Sequence, residues 1–241
     1  MVGGYGRHRS FLTEVSFDSR CRQRNASSEV KPPHSEGRPT VVVIEDDGDI
    51  RDALGGLVRS VGLQVALFAS PKEFLESPVK VHLGCFVLDV RLPGRSGLDF
   101  HDDLVKANAQ LPVVFISGHA DVAMSVRAMK AGAVEFLTKP IRPQDLLDAI
   151  QLAIERDRAR REYDLATAQT RATFQSLTPR EREVMALVVA GLPNKEIAER
   201  IGVGLATVKL HRSQIMRKMR AGSLPDLVRM ADKLELPRPK S

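Results

Sequence analysis

One short run of residues constrains the fold more than any other part of the sequence. Cys85–Leu88 is wholly apolar, it leads directly into Asp89, and a turn containing proline and glycine follows. A continuous apolar run of this length between turn residues is typical of a strand buried on both faces of a parallel sheet. Open α/β sheets bind their ligands beyond the carboxyl ends of such strands, so Asp89 lies where a reactive group is expected.

Similar runs recur along the first part of the chain, and a helical pattern follows each of them. The predicted strands are 40–44, 64–68, 85–89, 112–116 and 134–137. Between the first two, Ile50, Leu54, Leu57 and Val58 recur at helical spacing. Strands that alternate with helices predict an α/β domain with a five-stranded parallel sheet and helices on both faces, the flavodoxin-like doubly wound arrangement.

The last part of the chain is predicted to be all helical. Residues 156–176 are rich in charged side chains and poor in apolar ones, which indicates a solvated helical linker. Thr178–Glu181 begins with threonine and proline and ends with glutamate, the pattern of a capping box at a helix start. A short helix over 194–201 and a longer one over 205–220, joined by a tight turn, then predict a helix-turn-helix.

Charge is unevenly distributed along the chain. Residues 39–152 carry 11 Lys and Arg against 15 Asp and Glu, whereas residues 177–241 carry 13 against 7. An acidic middle and a basic end indicate two domains with different partners, and the basic domain favours nucleic acid.

Residues 1–38 mix Arg, Ser, Gly and Pro without a sustained period, which predicts a disordered leader. A start codon placed too far upstream would explain the same segment, and both explanations stay open. No apolar run approaches the roughly 20 residues that cross a bilayer, and no secretory signal is present, so we expect no membrane partner. Cys21 and Cys85 are the only cysteines, which fits a cytoplasmic protein without disulfides.

Polar and charged side chains stand at the ends of four predicted strands. They are Glu45 and Asp46 after the first, Asp89 at the third, Ser117 after the fourth and Lys139 after the fifth. Strand ends in a doubly wound sheet converge on one edge, so we expect these side chains to meet. Three carboxylates suit Mg²⁺, which prefers oxygen ligands, while Lys139 and Ser117 can bind phosphoryl oxygens.

This set of groups fits phosphoryl transfer, which requires positioning and charge neutralisation more than proton transfer. The predicted reaction is attack by the Asp89 carboxylate on a phosphoryl donor, which gives an aspartyl phosphate. Each residue taken alone has a simpler explanation. Asp46 or Asp49 would be the N-cap of the next helix, and Lys139 would be an ordinary surface lysine. Their joint position at one sheet edge favours the phosphoryl site.

Residues 39–155 resemble the receiver domain of bacterial two-component response regulators. The resemblance implies an acidic pair, a phosphoacceptor, a switch hydroxyl, a switch aromatic and a lysine, here Glu45 with Asp46, Asp89, Ser117, Phe136 and Lys139. It also implies that Mg²⁺ is held by Glu45, Asp46, Asp89 and the backbone carbonyl of Arg91, and that the Lys139–Pro140 bond is cis.

Residues 177–237 resemble the LuxR-type DNA-binding domain, and we expect that domain to span residues 177–241. Thr178–Val184, Asn194–Ala198 and Thr207–Arg212 carry this resemblance. The two parts together resemble the NarL/FixJ family of response regulators, and Ser117–Val122 is especially similar to its FixJ branch.

The second resemblance implies that the helix over 205–220 reads DNA from the major groove. Base contacts are implied for Lys209, Leu210 and Ser213. Phosphate contacts are implied for Lys195, Thr207, His211, Arg212 and Arg217. For His211, packing in the domain core is an equal alternative.

The family also implies the partners. A sensor histidine kinase would supply the phosphoryl group, double-stranded promoter DNA would be the target, and RNA polymerase would be a further partner. Phosphorylation would act through Ser117 and Phe136 on the face of the fourth helix and fifth strand, and would promote a homodimer.

Three other functions are open from the residues alone. A phosphatase with a nucleophilic aspartate usually has a second aspartate two residues on, where this chain has Arg91. A nucleotide-binding regulator needs a glycine-rich loop after the first strand, where acidic residues stand instead. A receiver that only recruits proteins stays open, and sequence-specific DNA binding by residues 177–241 alone would exclude it. We therefore expect a regulator and not an enzyme.

Overall fold

The structure is a computed structural model that describes residues 38–79, 81–118 and 122–236. The predicted leader lies outside these ranges except for its last residue, and so do His119–Asp121 of the FixJ-like segment and the final five residues of the chain. The chain divides into two compact units, with the boundary between Ala159 and Arg160.

A five-stranded sheet forms the centre of the first unit. Its strands are β1 Thr40–Ile44, β2 Gln64–Phe68, β3 Gly84–Asp89, β4 Val113–Ser117 and β5 Glu135–Thr138. Their order is β2-β1-β3-β4-β5, and every neighbouring pair is parallel. This arrangement confirms the predicted α/β fold, and each strand lies within one residue of its predicted bounds.

Helices cover both faces of this sheet. They are α1 Gly48–Ser60, α2 Pro71–Glu76, α3 Gly97–Lys106, α4 Val122–Lys130 and α5 Pro143–Gln175. Phe86, Phe100 and Phe115 belong to the core on one face, whereas Val87 and Leu146 belong to the largely aliphatic core on the other. Because β3 is flanked on both sides by strands and covered on both faces, all six of its residues are buried.

The first residue of β3 must be glycine. Gly84 has a φ of +155°, and an added Cβ would lie 1.8 Å from the carbonyl oxygen of Thr40 on β1. Its backbone amide donates to Asp157 Oδ2 at 3.1 Å. Asp157 lies on α5 and is fully buried, so this contact fixes α5 against the start of the strand that ends in Asp89.

Helix α5 is 33 residues long and continues without a break through the segment predicted as a linker. Its buried apolar residues, which include Leu146, Ile150 and Ile154, all lie in the part that packs on the sheet. Across the residues that the structure describes, no helix has both the length and the apolar character needed to cross a membrane.

The described part of the second unit contains the end of α5 and four further helices, in agreement with the predicted helix-turn-helix. The four helices are α6 Pro179–Val189, α7 Asn194–Ile201, α8 Leu205–Met219 and α9 Leu224–Lys233. Thr178 and Glu181 form the predicted capping box at the start of α6. Gly202 ends α7 in the left-handed conformation, with a φ of +68°. Val184, Ile197, Val208 and Ile215 bring the helices together in one core.

The two adjacent glycines of α1 allow a test of helix packing. A Cβ at Gly56 would meet nothing within 4 Å, whereas one at Gly55 would lie 2.9 Å from Leu67 Cδ1. We therefore predict that Gly56→Ala raises the free energy of unfolding by about 1 kcal/mol, because alanine is the better helix former.

Gly55→Ala is the matched control, and displacement of Leu67 should cancel most of the same gain. Urea denaturation of both variants measures the difference. Equal stabilisation by the two substitutions would show that α1 does not pack on β2 as described.

Candidate functional site

The carboxyl ends of β1, β3, β4 and β5 meet at one edge of the sheet. The parallel register pairs Ile44 with Leu88 and Asp89 with Ile116, so these ends lie level with one another. The residues that end or follow these strands include five predicted site residues, Glu45, Asp46, Asp89, Ser117 and Lys139.

Lys139 joins two buried carboxylates at this edge. Its Nζ lies 2.6 Å from Asp89 Oδ2 and 2.7 Å from Glu45 Oε2. Asp89 is 4% exposed and Glu45 is 0% exposed. A buried charge requires a partner, and a single ammonium here serves two carboxylates. The predicted cis bond between Lys139 and Pro140 is present.

Backbone contacts hold Asp89 in place. The amide of Arg91 donates to Asp89 Oδ1 at 2.9 Å, so each carboxylate oxygen of Asp89 has one donor and retains lone pairs for a further partner. At Gly97, the first residue of α3, an added Cβ would lie 2.1 Å from the backbone carbonyl oxygen of Asp89. Only glycine allows α3 to begin this close to the strand end.

Consecutive residues of the acidic segment after β1 make different contacts. Asp47 caps α1, since its Oδ1 accepts backbone amides of the first turn at 2.9 and 3.1 Å. The alternative that Asp46 or Asp49 caps this helix is therefore wrong. Arg51 donates to the backbone carbonyls of Glu45 at 2.7 Å and Asp46 at 3.2 Å. The carboxylate of Asp46 is exposed and is available to the site.

The site carries more negative charge than Lys139 alone can balance. Burial raises the pKa of Glu45, the charge of Asp89 raises it further, and the resulting value is about 7 despite the hydrogen bond from Lys139. Burial alone would lower the pKa of Lys139, but its hydrogen bonds to Asp89 and Glu45 outweigh burial and raise that pKa. Lys139 therefore stays cationic, and Glu45 lies close to protonation at neutral pH.

The acidic residues fit a divalent cation. One carboxylate oxygen from each of Glu45, Asp46 and Asp89 lies within 4.8 Å of the other two. Hard oxygen donors and an excess of negative charge match the requirements of Mg²⁺. The backbone of Arg91 lies beside Asp89, because the Arg91 amide bonds to that carboxylate. The carbonyl of Arg91 remains the predicted fourth ligand.

Ser117 and Phe136 lie on the α4–β5 side of the site. Ser117 ends β4 and is fully buried, and its carbonyl accepts the backbone amide of Lys139 at 2.8 Å. Phe136, on β5, is half-buried and packs tilted against Phe115, with ring centroids 6.4 Å apart. The switch hydroxyl and the switch aromatic implied by the family are thus carried by adjacent strands.

Sequence reasoning missed His101 as part of this region. His101 is 5% exposed and contacts Phe115 edge-to-face at 5.5 Å. Its Nδ1 is buried and has no hydrogen-bond partner among the described residues, and burial lowers the pKa of the imidazole. Its place between Leu98 and Leu104 at helical spacing was the available signal, and it indicates only a core position.

An ion-pair bridge between α3 and α4 was also missed. Arg127 Nη2 lies 2.9 Å from Asp99 Oδ1 and 2.7 Å from Asp102 Oδ2. All three side chains are at least one third exposed, so the bridge contributes little to stability, but it links the two helices on this side of the sheet.

In the second unit, most of the predicted DNA-contacting side chains share an exposed surface of α7 and α8. The exposed ones are Lys195, Thr207, Lys209, Leu210, Ser213 and Arg217. The N-cap of α8 is Gly204, which provides no side-chain hydrogen bond to the first turn. The start of α8 lines a groove together with Lys195, and a helix amino terminus beside a lysine is suited to phosphate.

His211 and Arg212 differ from the other predicted contacts because they are half-buried. Arg212 Nη1 donates to Asn194 Oδ1 at 2.7 Å and thereby ties α8 to the first residue of α7. The Nδ1 atom of His211 is buried and has no hydrogen-bond partner among the described residues. The two explanations for His211, core packing and phosphate contact, are both compatible with this position.

A buried ion pair anchors α8 to α6, and sequence reasoning missed it. Lys218 Nζ lies 2.6 Å from Glu181 Oε2, and the Glu181 side chain is 3% exposed. The same Glu181 oxygen accepts the backbone amide of Thr178 at 2.7 Å. Burial opposes ionisation of Glu181, but these hydrogen bonds prevail and lower its pKa. The capping glutamate therefore also positions the helix that carries Lys209.

Two protein families match separate parts of the chain. Residues 41–151 match the response regulator receiver domain, and residues 175–231 match the bacterial regulatory proteins of the luxR family. The two matches fall on the sheet-containing unit and on the helix-turn-helix, in agreement with the two resemblances seen in the sequence.

Similar proteins extend over both parts. The chain is 50% identical over 203 residues to nodulation protein W of Bradyrhizobium diazoefficiens, covering 83% of this chain and 89% of that protein. It is 41% identical over 193 residues to the transcriptional regulatory protein FixJ of Rhizobium meliloti, covering 80% and 94%. The solved structure of response regulator StyR matches with a TM-score of 0.71 at 43% identity, covering 82% of this chain and 100% of that chain.

We predict that Lys218→Met lowers the free energy of unfolding by about 1–3 kcal/mol, because it leaves the buried Glu181 carboxylate without its cation. Lys209→Met on the same helix is the control and should be nearly neutral, since Lys209 is exposed. Thermal denaturation measures both variants.

The effect of Lys218→Met should depend on pH. Because the folded pKa of Glu181 is lowered, its ion pair stabilises the fold above the ordinary carboxyl pKa and is lost as pH falls through the folded value. The difference between wild type and variant should therefore shrink in acid. A difference that stays constant from neutral pH to pH 3 would contradict the ion pair.

Proposed function

The chain belongs to the two-component response regulators that join a receiver domain to a LuxR-type DNA-binding domain, and we propose that phosphorylation of Asp89 controls its binding to promoter DNA. One observation carries this proposal. Asp89 ends the central strand, nearly buried, with Lys139 at 2.6 Å and two further carboxylates around it. A sensor histidine kinase is the proposed donor.

Asp89 is the proposed nucleophile. One of its oxygens attacks the phosphorus of the donor phosphohistidine, and the new O–P bond forms as the P–N bond breaks. The donor imidazole leaves with the bonding electrons and takes up a proton. Lys139, already within 2.6 Å of Asp89 Oδ2, neutralises charge on the transferring group.

Glu45, Asp46, Asp89 and the carbonyl of Arg91 would hold Mg²⁺, which supplies positive charge that Lys139 alone does not provide. Burial and the nearby charge of Asp89 raise the pKa of Glu45 to about 7, and a divalent cation beside these carboxylates would favour their ionised forms. We propose a regulator that undergoes this modification and does not turn over a substrate.

Ser117 and Phe136 would pass the phosphorylation signal to α4. The Ser117 hydroxyl would bond a phosphoryl oxygen, and Phe136 would shift with β5 and α4. Helix α4 presents Val122, Val126 and Met129 to solvent, with exposures of 80%, 45% and 46%. These residues recur at helical spacing and form an apolar stripe on the predicted switch face, which supports homodimer formation there.

The helix-turn-helix would bind double-stranded promoter DNA with α8 in the major groove. Lys209, Leu210 and Ser213 are the proposed base contacts, and Lys195, Thr207 and Arg217 are the proposed phosphate contacts. Arg212 already bonds Asn194, so its proposed contribution is to orient α8 as well as to approach the backbone. Because the proposed target is the DNA of a bacterial cell, we propose a cytoplasmic location. RNA polymerase is a further proposed partner.

We predict that Asp89→Asn abolishes the increase in DNA affinity that a phosphoryl donor produces in the wild type, because the amide is not a nucleophile. Asp52→Asn, which changes an exposed carboxylate on α1, is the control and should respond like the wild type. Fluorescence anisotropy with and without donor measures both. Wild-type stimulation of the Asp89→Asn variant would refute the proposed role of Asp89.

We predict that Lys209→Ala weakens binding to a specific site by about 1–3 kcal/mol, the scale of one base contact, and leaves binding to unrelated DNA nearly unchanged. Lys195→Ala should instead weaken both equally, because phosphate contacts carry no sequence information. Titrations against a selected and a scrambled duplex distinguish the two. A uniform loss from Lys209→Ala would make Lys209 a phosphate contact.

A further inference from the structure

Leu205 is a large apolar side chain on the proposed DNA-binding surface, where Leu210 is also exposed. Leu205 is the first residue of α8 and is 46% exposed. The hydrophobic core of the second unit includes Val203 and Val208 on either side of it in sequence but does not include Leu205. Packing within this unit therefore does not account for a large aliphatic residue at this position.

Leu205 has proposed DNA contacts among its neighbours. Leu205 lines a shallow groove at the turn between α7 and α8 together with Lys195 and Gly202. Four residues along α8, Lys209 lies on the same helical face as Leu205, and Ser213 follows at the same interval. Leu205 thus lies between a proposed phosphate contact and a proposed base contact.

We propose that Leu205 is a specificity-determining residue that recognises thymine by contact with its 5-methyl group in the major groove. This inference rests on the proposed function, in which the amino-terminal part of α8 enters that groove. Thymine is the standard base that presents a methyl group there, and an uncharged aliphatic side chain is its complement. Because Leu205 has no charge, it adds nothing to sequence-independent attraction for phosphate.

Replacement of single thymines by uracil tests the proposed methyl contact. The probe is a duplex selected from a random pool by the full chain in the presence of a phosphoryl donor. Each thymine of that duplex is then replaced singly by uracil, which removes the methyl group and keeps base pairing. Affinities of wild type, Leu205→Ala and Leu210→Ala are measured for the whole series.

We expect one thymine at which uracil weakens wild-type binding by roughly fourfold, the effect of one buried methyl-sized group. At that position, uracil should not weaken Leu205→Ala any further, whereas Leu210→Ala should keep its sensitivity. The inference is overturned if Leu205→Ala retains the full wild-type pattern of uracil sensitivity, or if the wild type has no sensitive thymine.

Two controls separate this inference from the proposed function and from misfolding. Failure of the wild type to enrich any duplex would overturn the proposed DNA binding, and this inference with it. Leu205→Gln provides a second variant, and both variants should melt like the wild type because Leu205 lies outside the core. Loss of the uracil effect at the same single thymine in both folded variants supports the assignment.

Discussion

The ion pairs of Lys139 are the interaction on which the rest of the first unit depends. One ammonium lies 2.6 and 2.7 Å from two buried carboxylates, and one carboxylate oxygen of Asp46 lies within 4.8 Å of one oxygen from each of them. Burial raises the pKa of Glu45, and the charge of Asp89 adds to that rise, so the value reaches about 7 despite the hydrogen bond from Lys139. The excess of carboxylates over the single ammonium of Lys139 suits the site to a divalent cation. An incoming phosphoryl group would add negative charge that both Lys139 and this cation would balance.

The parallel sheet sets this geometry, because it brings side chains that are far apart in sequence to one edge. Lys139 follows Glu45 by 94 residues and Asp89 by 50, yet it contacts both. Close packing fixes both ends of the central strand. Gly84 fits against β1, and its backbone amide donates to Asp157, whereas Gly97 fits against the backbone carbonyl of Asp89. The fold therefore sets the direction of the carboxylate, while α4 keeps exposed apolar residues that a partner would cover.

The sequence predicted the strands well, because β-branched runs between turn residues seldom form anything other than buried strands. The convergence of strand ends in a parallel sheet then indicated Glu45, Asp89 and Lys139 as site residues. It did not identify Asp47 as the cap of α1, because several neighbouring carboxylates fit the same local pattern. It also gave no sign of the contact between Lys218 and Glu181, which lie 37 residues apart, or of that between Asp157 and Gly84. Local patterns carry little information about such long-range polar pairs.

The most direct test of the central claim is to locate the phosphoryl group. The full chain is incubated with a labelled phosphoryl donor and Mg²⁺, the acyl phosphate is trapped by borohydride reduction, and the modified residue is identified by mass spectrometry. The account predicts one modified side chain, Asp89, and loss of the modification when the cation is chelated. A folded protein that binds Mg²⁺ but carries the label at another residue, or carries none, would contradict it.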